Sequence, residues 1–196
     1  MNKDILTSLR PALIMTSLFA ILLGLVYPLA LTGIGQLIFP SQANGSLIEQ
    51  NGHAVGSKLI GQSFASARYF TSRPSAAGKG YDGLASSGSN LGPASQALVD
   101  RVKADSKTLA EANPGKSIPA DLVTASASGL DPDISPASAF YQVDRIARVR
   151  RIAPERVKAL VEQSIDHPLL GVLGEPRVDV LEINRRLDQI GATKPR

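Results

Sequence analysis

The sequence predicts an α+β protein: a single N-terminal transmembrane helix followed by one mixed extracytoplasmic α/β domain with short strands. Three observations carry this. Residues Pro11 to Phe39 contain no Lys, Arg, Asp, Glu or His. The 156 residues after Pro40 suffice for one compact domain with its own core and leave no room for a second large one. Within that part, short β-type runs and amphipathic helical stretches are punctuated by Gly, Pro, Ser and Asn.

At about 1.5 Å per residue, a helix over 11–39 spans the roughly 30 Å of a hydrocarbon layer. Lys3 and Arg10 precede the run, and the next charged residue is Glu49. The basic bias places residues 1–10 in the cytoplasm and everything after the span outside it. Ser41-Gln42-Ala43 also offers the small residues of a signal-peptide cleavage site, but a signal core is only about 7–15 residues long. An uncleaved anchor fits the length better. Ser8, Ala12, Thr16, Ala20 and Gly24 recur every four residues. Such spacing lets helix backbones approach closely in lipid, with Thr16, Ala20 and Gly24 as the packing positions, although membrane helices are rich in small residues in any case. Pro28 lacks an amide hydrogen and crowds the carbonyl of Gly24, which predicts a bend there. Gly33 and Gly35 should loosen the outer end.

The outer part carries 19 basic and 16 acidic residues, too balanced and scattered for nucleic acid. Cysteine is absent, which excludes disulfides and thiolate metal sites. His53 and His167 stand alone in sequence and read as surface or structural residues, so no metal ligands are assigned.

In chain order, 40–55 reads as a linker or lead-in to a first strand, 56–190 as the domain and 191–196 as a tail. Lys58 to Gln62 and Arg68 to Phe70 have β-type composition. Thr71 to Pro93, rich in Ser, Gly, Ala and Pro, cannot build a core of its own; it is either mobile or an ordered loop packed on something else. Pro93 opens a helix that Asn113-Pro114-Gly115 stops. A helical turn fits 119–125. Ser135 as N-cap and Pro136 as first residue start a helix with Ala139, Val143, Ile146 and Ala147 inward and Asp144, Arg145, Arg148 and Arg151 outward. Pro154 begins a second segment with an apolar edge of Val157, Leu160 and Val161. Residues 177–180 form a brief strand, and 181–187 a last helical turn or two, with Leu181, Ile183 or Asn184, and Leu187 inward.

Little of this carries chemistry. Residues 86–92 run into the Pro93 helix and could hold an anion, but they lack the closing Gly-Lys-Ser/Thr of a P-loop. Asp131 and Asp133, beside Pro132 and Ser135-Pro136, are turn and helix-entry residues rather than paired catalytic acids. Arg145, Arg148, Arg150 and Arg151 could grip a carboxylate or phosphate, or form a solvated face paired with Asp144 and Glu155. No nucleophile–base pair has local support, which favours a noncatalytic, membrane-tethered protein.

Several motifs in order nevertheless point to a family: Gly56-Ser57-Lys58-Leu59-Ile60-Gly61-Gln62, Tyr69-Phe70-Thr71-Ser72-Arg73-Pro74-Ser75, Tyr81-Asp82-Gly83, and Ser87-Gly88-Ser89-Asn90-Leu91-Gly92-Pro93. Later come Ser128-Gly129-Leu130-Asp131-Pro132-Asp133-Ile134-Ser135-Pro136, Gln142-Val143-Asp144-Arg145-Ile146-Ala147, Leu173-Gly174-Glu175-Pro176-Arg177-Val178, and Leu181-Glu182-Ile183-Asn184. Over essentially its whole length the chain resembles the C subunit (KdpC) family of the Kdp potassium-transporting ATPase.

The resemblance implies a non-catalytic subunit of an ATP-driven potassium importer in a bacterial inner membrane. Its partners would be a channel-like potassium-translocating subunit, a P-type ATPase subunit and a small accessory membrane peptide, within the lipid bilayer. It also implies a catalytic chaperone that raises the ATP affinity of the ATPase subunit, with Gln142 linked to nucleotide. Direct contact conflicts with the topology, since Gln142 lies outside and ATP inside; linkage through subunit contacts resolves this. No cofactor is expected to bind this chain directly, and ATP enters only through the ATPase subunit. Tyr69, Arg73 and Tyr81 on the loop 68–93 are the first candidates for a partner surface. Gln142 and Arg145 are the second. The alternatives are a membrane-anchored periplasmic ligand-binding or sensor module, and an anchored hydrolase.

Overall fold

The computed structural model describes residues 2–50, 52–168, 170–171 and 173–192. The chain divides into two compact units, Met1–Leu47 and Ile48–Arg196.

In the first unit, α1 (Asn2–Ile21) passes through a π-helical turn, Leu22–Val26, into α2 (Tyr27–Ile38). Thr7–Ile38 has a mean hydropathy of 2.2 and none of its hydrophobic window is buried within the chain, so it is long and apolar enough to cross a membrane. The π turn lies where Pro28 would otherwise press on the Gly24 carbonyl. Widening the coil, so that the Tyr27 amide donates to Leu22 O, takes up that misfit. Thr16 and Ala20 lie exposed on α1, and Gly24 lies exposed in the π turn. Gly33 and Gly35 do not loosen the outer end: α2 runs through both, and Phe39 N donates to Gly35 O at 2.8 Å. A glycine costs a helix about 1 kcal/mol, less than unpaired backbone would cost in hydrocarbon.

The expected linker at 40–55 contains α3 (Pro40–Ala43) and the strands β1 (Leu47–Gln50) and β2 (His53–Ser57), which pair in a two-stranded sheet. The runs at 58–62 and 68–70 form no strand. α4 (Gln96–Ala112) starts after Ser95 rather than at Pro93, ends at Asn113 as predicted, and buries no residue.

The rest of the second unit is a helical core on a small ladder. A 3₁₀ turn, Ala120–Leu122, leads to β3 (Asp133–Ile134) and α5 (Pro136–Arg150). Ser135 Oγ accepts the Ser138 amide at 3.1 Å, and Pro136 occupies the first turn, as predicted. Arg151 ends α5 in the left-handed region at φ 57°, and Ile152 N returns to Ala147 O at 3.0 Å. Pro154 then opens α6 (Pro154–Gln163). β4 (Val178–Asp179) pairs antiparallel with β3 and runs into α7 (Val180–Ala192). α7 is longer than the turn or two expected and occupies the first two residues of the predicted tail; 193–196 lie outside the described residues.

Val143 and Ile146 of α5, Val157, Leu160 and Val161 of α6, and Ile183 and Leu187 of α7 close around Phe70 and Val178. Each such side chain contributes about 1.5–3 kcal/mol by leaving water, so this cluster is the main source of the domain's stability. The α+β class stands, with an N-terminal apolar helix and short strands.

Candidate functional site

Residues of three of the motifs, Tyr69 to Thr71, Gln142 with Arg145, and Asn184, meet on one stretch of irregular backbone, 67–71. Phe70 is fully buried, so its peptide groups need partners where no strand supplies them. Side-chain amides take that place. Asn184 on α7 accepts from Phe70 N at 2.8 Å and donates to Phe70 O at 2.9 Å. Gln142 on α5 accepts from Thr71 N at 2.8 Å and donates to Thr71 O at 3.2 Å. Only a carboxamide presents a donor and an acceptor side by side as a peptide does. The run 68–70, β-type in composition, joins no ladder; the peptide groups of Phe70 and Thr71 pair instead with side chains of two helices.

Arginines complete the clamp. Arg145 donates to Ala67 O at 2.5 Å, to Tyr69 O at 2.9 Å and to Gln142 Oε1 at 2.7 Å. It is a half-buried strut, which corrects its outward assignment. Burial, and then the nearby Arg148 charge, lower its pKa from the ordinary guanidinium value. Arg150 donates to Arg68 O at 2.7 Å, pairs with Asp188 at 2.7 Å and lies 4.7 Å over the Tyr69 ring, whose hydroxyl donates to the same Asp188 at 3.0 Å. Its side chain is only 4% exposed. The solvated pairing expected of the arginine cluster with Asp144 and Glu155 therefore does not describe Arg145 or Arg150; Asp144 pairs with Lys116 at 2.5 Å. Backbone carbonyls take up the donors of both guanidinium groups, and the Tyr69 ring and Asp188 face the charge of Arg150.

The loop 71–93 is the ordered alternative of the two expected. Arg73 bonds Asp131 at 3.0 Å and reaches the Thr124 and Ala125 carbonyls at 3.4 and 3.5 Å. Tyr81 OH donates to Arg73 O at 2.5 Å, and burial raises the pKa of its phenol. Ser75 Oγ donates to Gly129 O at 2.6 Å and accepts Tyr81 N at 2.7 Å. Gly129, at φ +65°, lies so close that a Cβ would sit 2.5 Å from Ser87 O and 2.6 Å from Ala77 N. That backbone-on-backbone contact is what the small residues permit.

Of the predicted site residues, Tyr69, Gln142 and Arg145 converge on 67–71, while Arg73 and Tyr81 pin the neighbouring loop. Gln142 has no exposed surface. The cleft that it lines together with Ser66, Thr71, Thr108, Tyr141 and Arg145 measures about 200 Å³, below the roughly 300 Å³ at which ligand pockets begin. His53 and His167 are both exposed. Among the described residues no group of three or more His, Cys, Asp or Glu could hold a metal ion.

Sequence reasoning named Asn184 only as one of two inward options and did not name Asp121. The signal for Gln142 and Asn184 was helical: each falls three residues after a buried position, Ala139 or Leu181, and so faces the core. Asp121 gives no local sign. It accepts from Ser135 N at 2.8 Å, from Ser135 Oγ at 3.1 Å and from Ser138 Oγ, fastening the start of α5.

The family model described as "K+-transporting ATPase, c chain" matches residues 9–189. A potassium-transporting ATPase KdpC subunit from Caulobacter vibrioides (strain NA1000 / CB15N) is 56% identical over 184 residues, 93% of each chain. KdpC subunits from Acidobacterium capsulatum and Variovorax paradoxus are each 54% identical, covering 93% and 95% of this chain and 98% of their own. Matched over 9–189 by the family model and at more than half of its positions by these relatives, the chain belongs to the KdpC family.

Proposed function

We propose that this chain is a noncatalytic, single-pass subunit of an ATP-driven potassium import complex, holding the complex together and raising the ATP affinity of its P-type ATPase subunit without touching nucleotide. Its N-terminus is cytoplasmic and its folded domain periplasmic, a reading supported by Lys3 and Arg10 before the span. The span packs laterally on the channel-like subunit, and the domain sits over that subunit's outer mouth.

One observation carries the indirect mechanism: the Gln142 carboxamide is wholly buried, with its oxygen accepting from Thr71 and Arg145 and its nitrogen donating to Thr71. A residue so engaged shapes a surface rather than binding a ligand. Its influence passes through the shape of 67–71 and the loop after it, which carry Tyr69, Arg73 and Tyr81. Preference for one pump conformation worth about 1–3 kcal/mol changes ATP affinity by about 5- to 150-fold.

The test is the ATP dependence of the assembled pump with Gln142→Ala or Asn184→Ala in this subunit. Both variants release the same segment, so both weaken ATP affinity alike. An effect of Gln142→Ala without one of Asn184→Ala, or crosslinking of labelled ATP to this chain, overturns the mechanism. Sparing of the domain by protease added to intact spheroplasts overturns the orientation.

A further inference from the structure

β3 and β4 set Asp133 directly opposite Asp179, and like charges so placed on an antiparallel ladder repel. The surrounding groups do not cancel this. Asp131 accepts the Asp133 amide at 3.1 Å, and its own charge is matched by Arg73 at 3.0 Å. Asp166, after α6, exchanges backbone hydrogen bonds with Arg177 at 2.8 and 3.1 Å. Among the described residues only Arg177 pairs with Asp133, at 3.2 Å, and it is 59% exposed against 27% for Asp133. Asp121 and the exposed Glu175 line the same cleft of about 300 Å³, Asp121 already held by Ser135 and Ser138.

Burial pushes the Asp133 carboxyl up to about 6; Arg177 opposes the shift, and Asp179, Asp131 and Asp166 add to it. Asp179 is raised as well, first by burial, although its carboxylate accepts the Glu182 amide at 2.7 Å and so caps α7. The place of this pair gives it reach. β3 ends two residues before α5, and β4 runs straight into α7, where Val180 N also donates to Pro132 O at 3.0 Å. These are the helices whose Gln142 and Asn184 hold Thr71 and Phe70.

We propose that the β3–β4 seam is a proton-operated latch: proton uptake at Asp133 removes its repulsion with Asp179, strengthens the pairing at the starts of α5 and α7, and tightens the clamp on 70–71 as the surrounding pH falls. The folded state holds more protons than the unfolded between 3.8 and about 6. Stability from this group is therefore fully present at low pH and is lost as pH rises through about 6.

Hydrogen exchange of the full chain in detergent micelles, corrected for the intrinsic pH dependence of exchange, tests this. Protection of the amides of 70–71 and 178–184 rises about four-fold from about pH 7.5 to about pH 5.5. Asp133→Asn flattens the rise, and Arg177→Gln, which leaves the carboxyl without its cation, moves it to higher pH. A flat wild-type profile, an unchanged slope in Asp133→Asn, or an unmoved midpoint in Arg177→Gln overturns the latch.

Discussion

Gln142 on α5 and Asn184 on α7 hydrogen-bond adjacent peptide units of one segment, each through both its oxygen and its nitrogen, at 2.8–3.2 Å. Two helices thereby act as the neighbouring strand for a stretch that has none. Gln142 is on this account a structural element of the clamp.

Asn184→Ala leaves the Phe70 N–H and C=O buried without partners. At about 1–3 kcal/mol for each such group, the domain loses about 3 kcal/mol. Chemical denaturation followed by tyrosine fluorescence suits a chain with four Tyr and no Trp.

Gln142→Ala has a cost of similar size, and it also strips an acceptor from Arg145. Because both amides hold the same segment, loosening it through one loss weakens what the other still holds, and the double variant falls short of the sum by at least about 0.5 kcal/mol. A double-mutant cycle by the same denaturation measures that shortfall; strict additivity would mean that the two amides act independently.

Arg151→Gly stabilises the domain by about 0.5–1 kcal/mol. Arg151 is exposed and sits at φ 57°, a backbone region that glycine occupies freely and a side chain does not. A rise in the unfolding midpoint with an unchanged denaturant slope is the expected signature.

Gly129→Ala does the reverse. The positive φ and the approach of Ser87 O and Ala77 N leave no space for a methyl group, and the loop 75–88 gives way at a cost of about 3 kcal/mol. Limited proteolysis then cuts within this loop in the variant before it does so in the parent.

Asp121 governs the acid limb. Burial alone would raise its pKa, but hydrogen bonds from Ser138 and Ser135 outweigh that and hold it below 3.8. A depressed carboxylate stabilises above its unfolded value and loses that contribution as pH falls through its folded one. Asp121→Asn therefore costs about 1.5–3 kcal/mol at neutral pH, and the gap from the parent narrows as pH falls below 3.8 and through the lowered folded value. Thermal unfolding across that range reads it. The latch at Asp133 has the opposite slope at higher pH, so the two groups separate in one titration.

What the sequence by itself determined is whatever depends on neighbours along the chain. The uncharged run 11–39 dictates an apolar helix, Pro28 marks the place of its π turn, and Ser135-Pro136 and Pro154 set the starts of α5 and α6. The periodicity of Val143, Ile146, Val157 and Leu160 names the core, because helical burial repeats within four residues. What only the tertiary structure decided are the partnerships made across long separations. Residues 68–70 have the composition of a strand but leave a turn instead, with Phe70 held by Asn184, 114 positions away, and the following Thr71 by Gln142, 71 positions away. Arg145 and Arg150 look solvated and are struts, and Asp121 emerges as the anchor of a helix that begins well downstream. A hydrogen bond depends on distance in space, and local composition is silent about which distant group will arrive to make it.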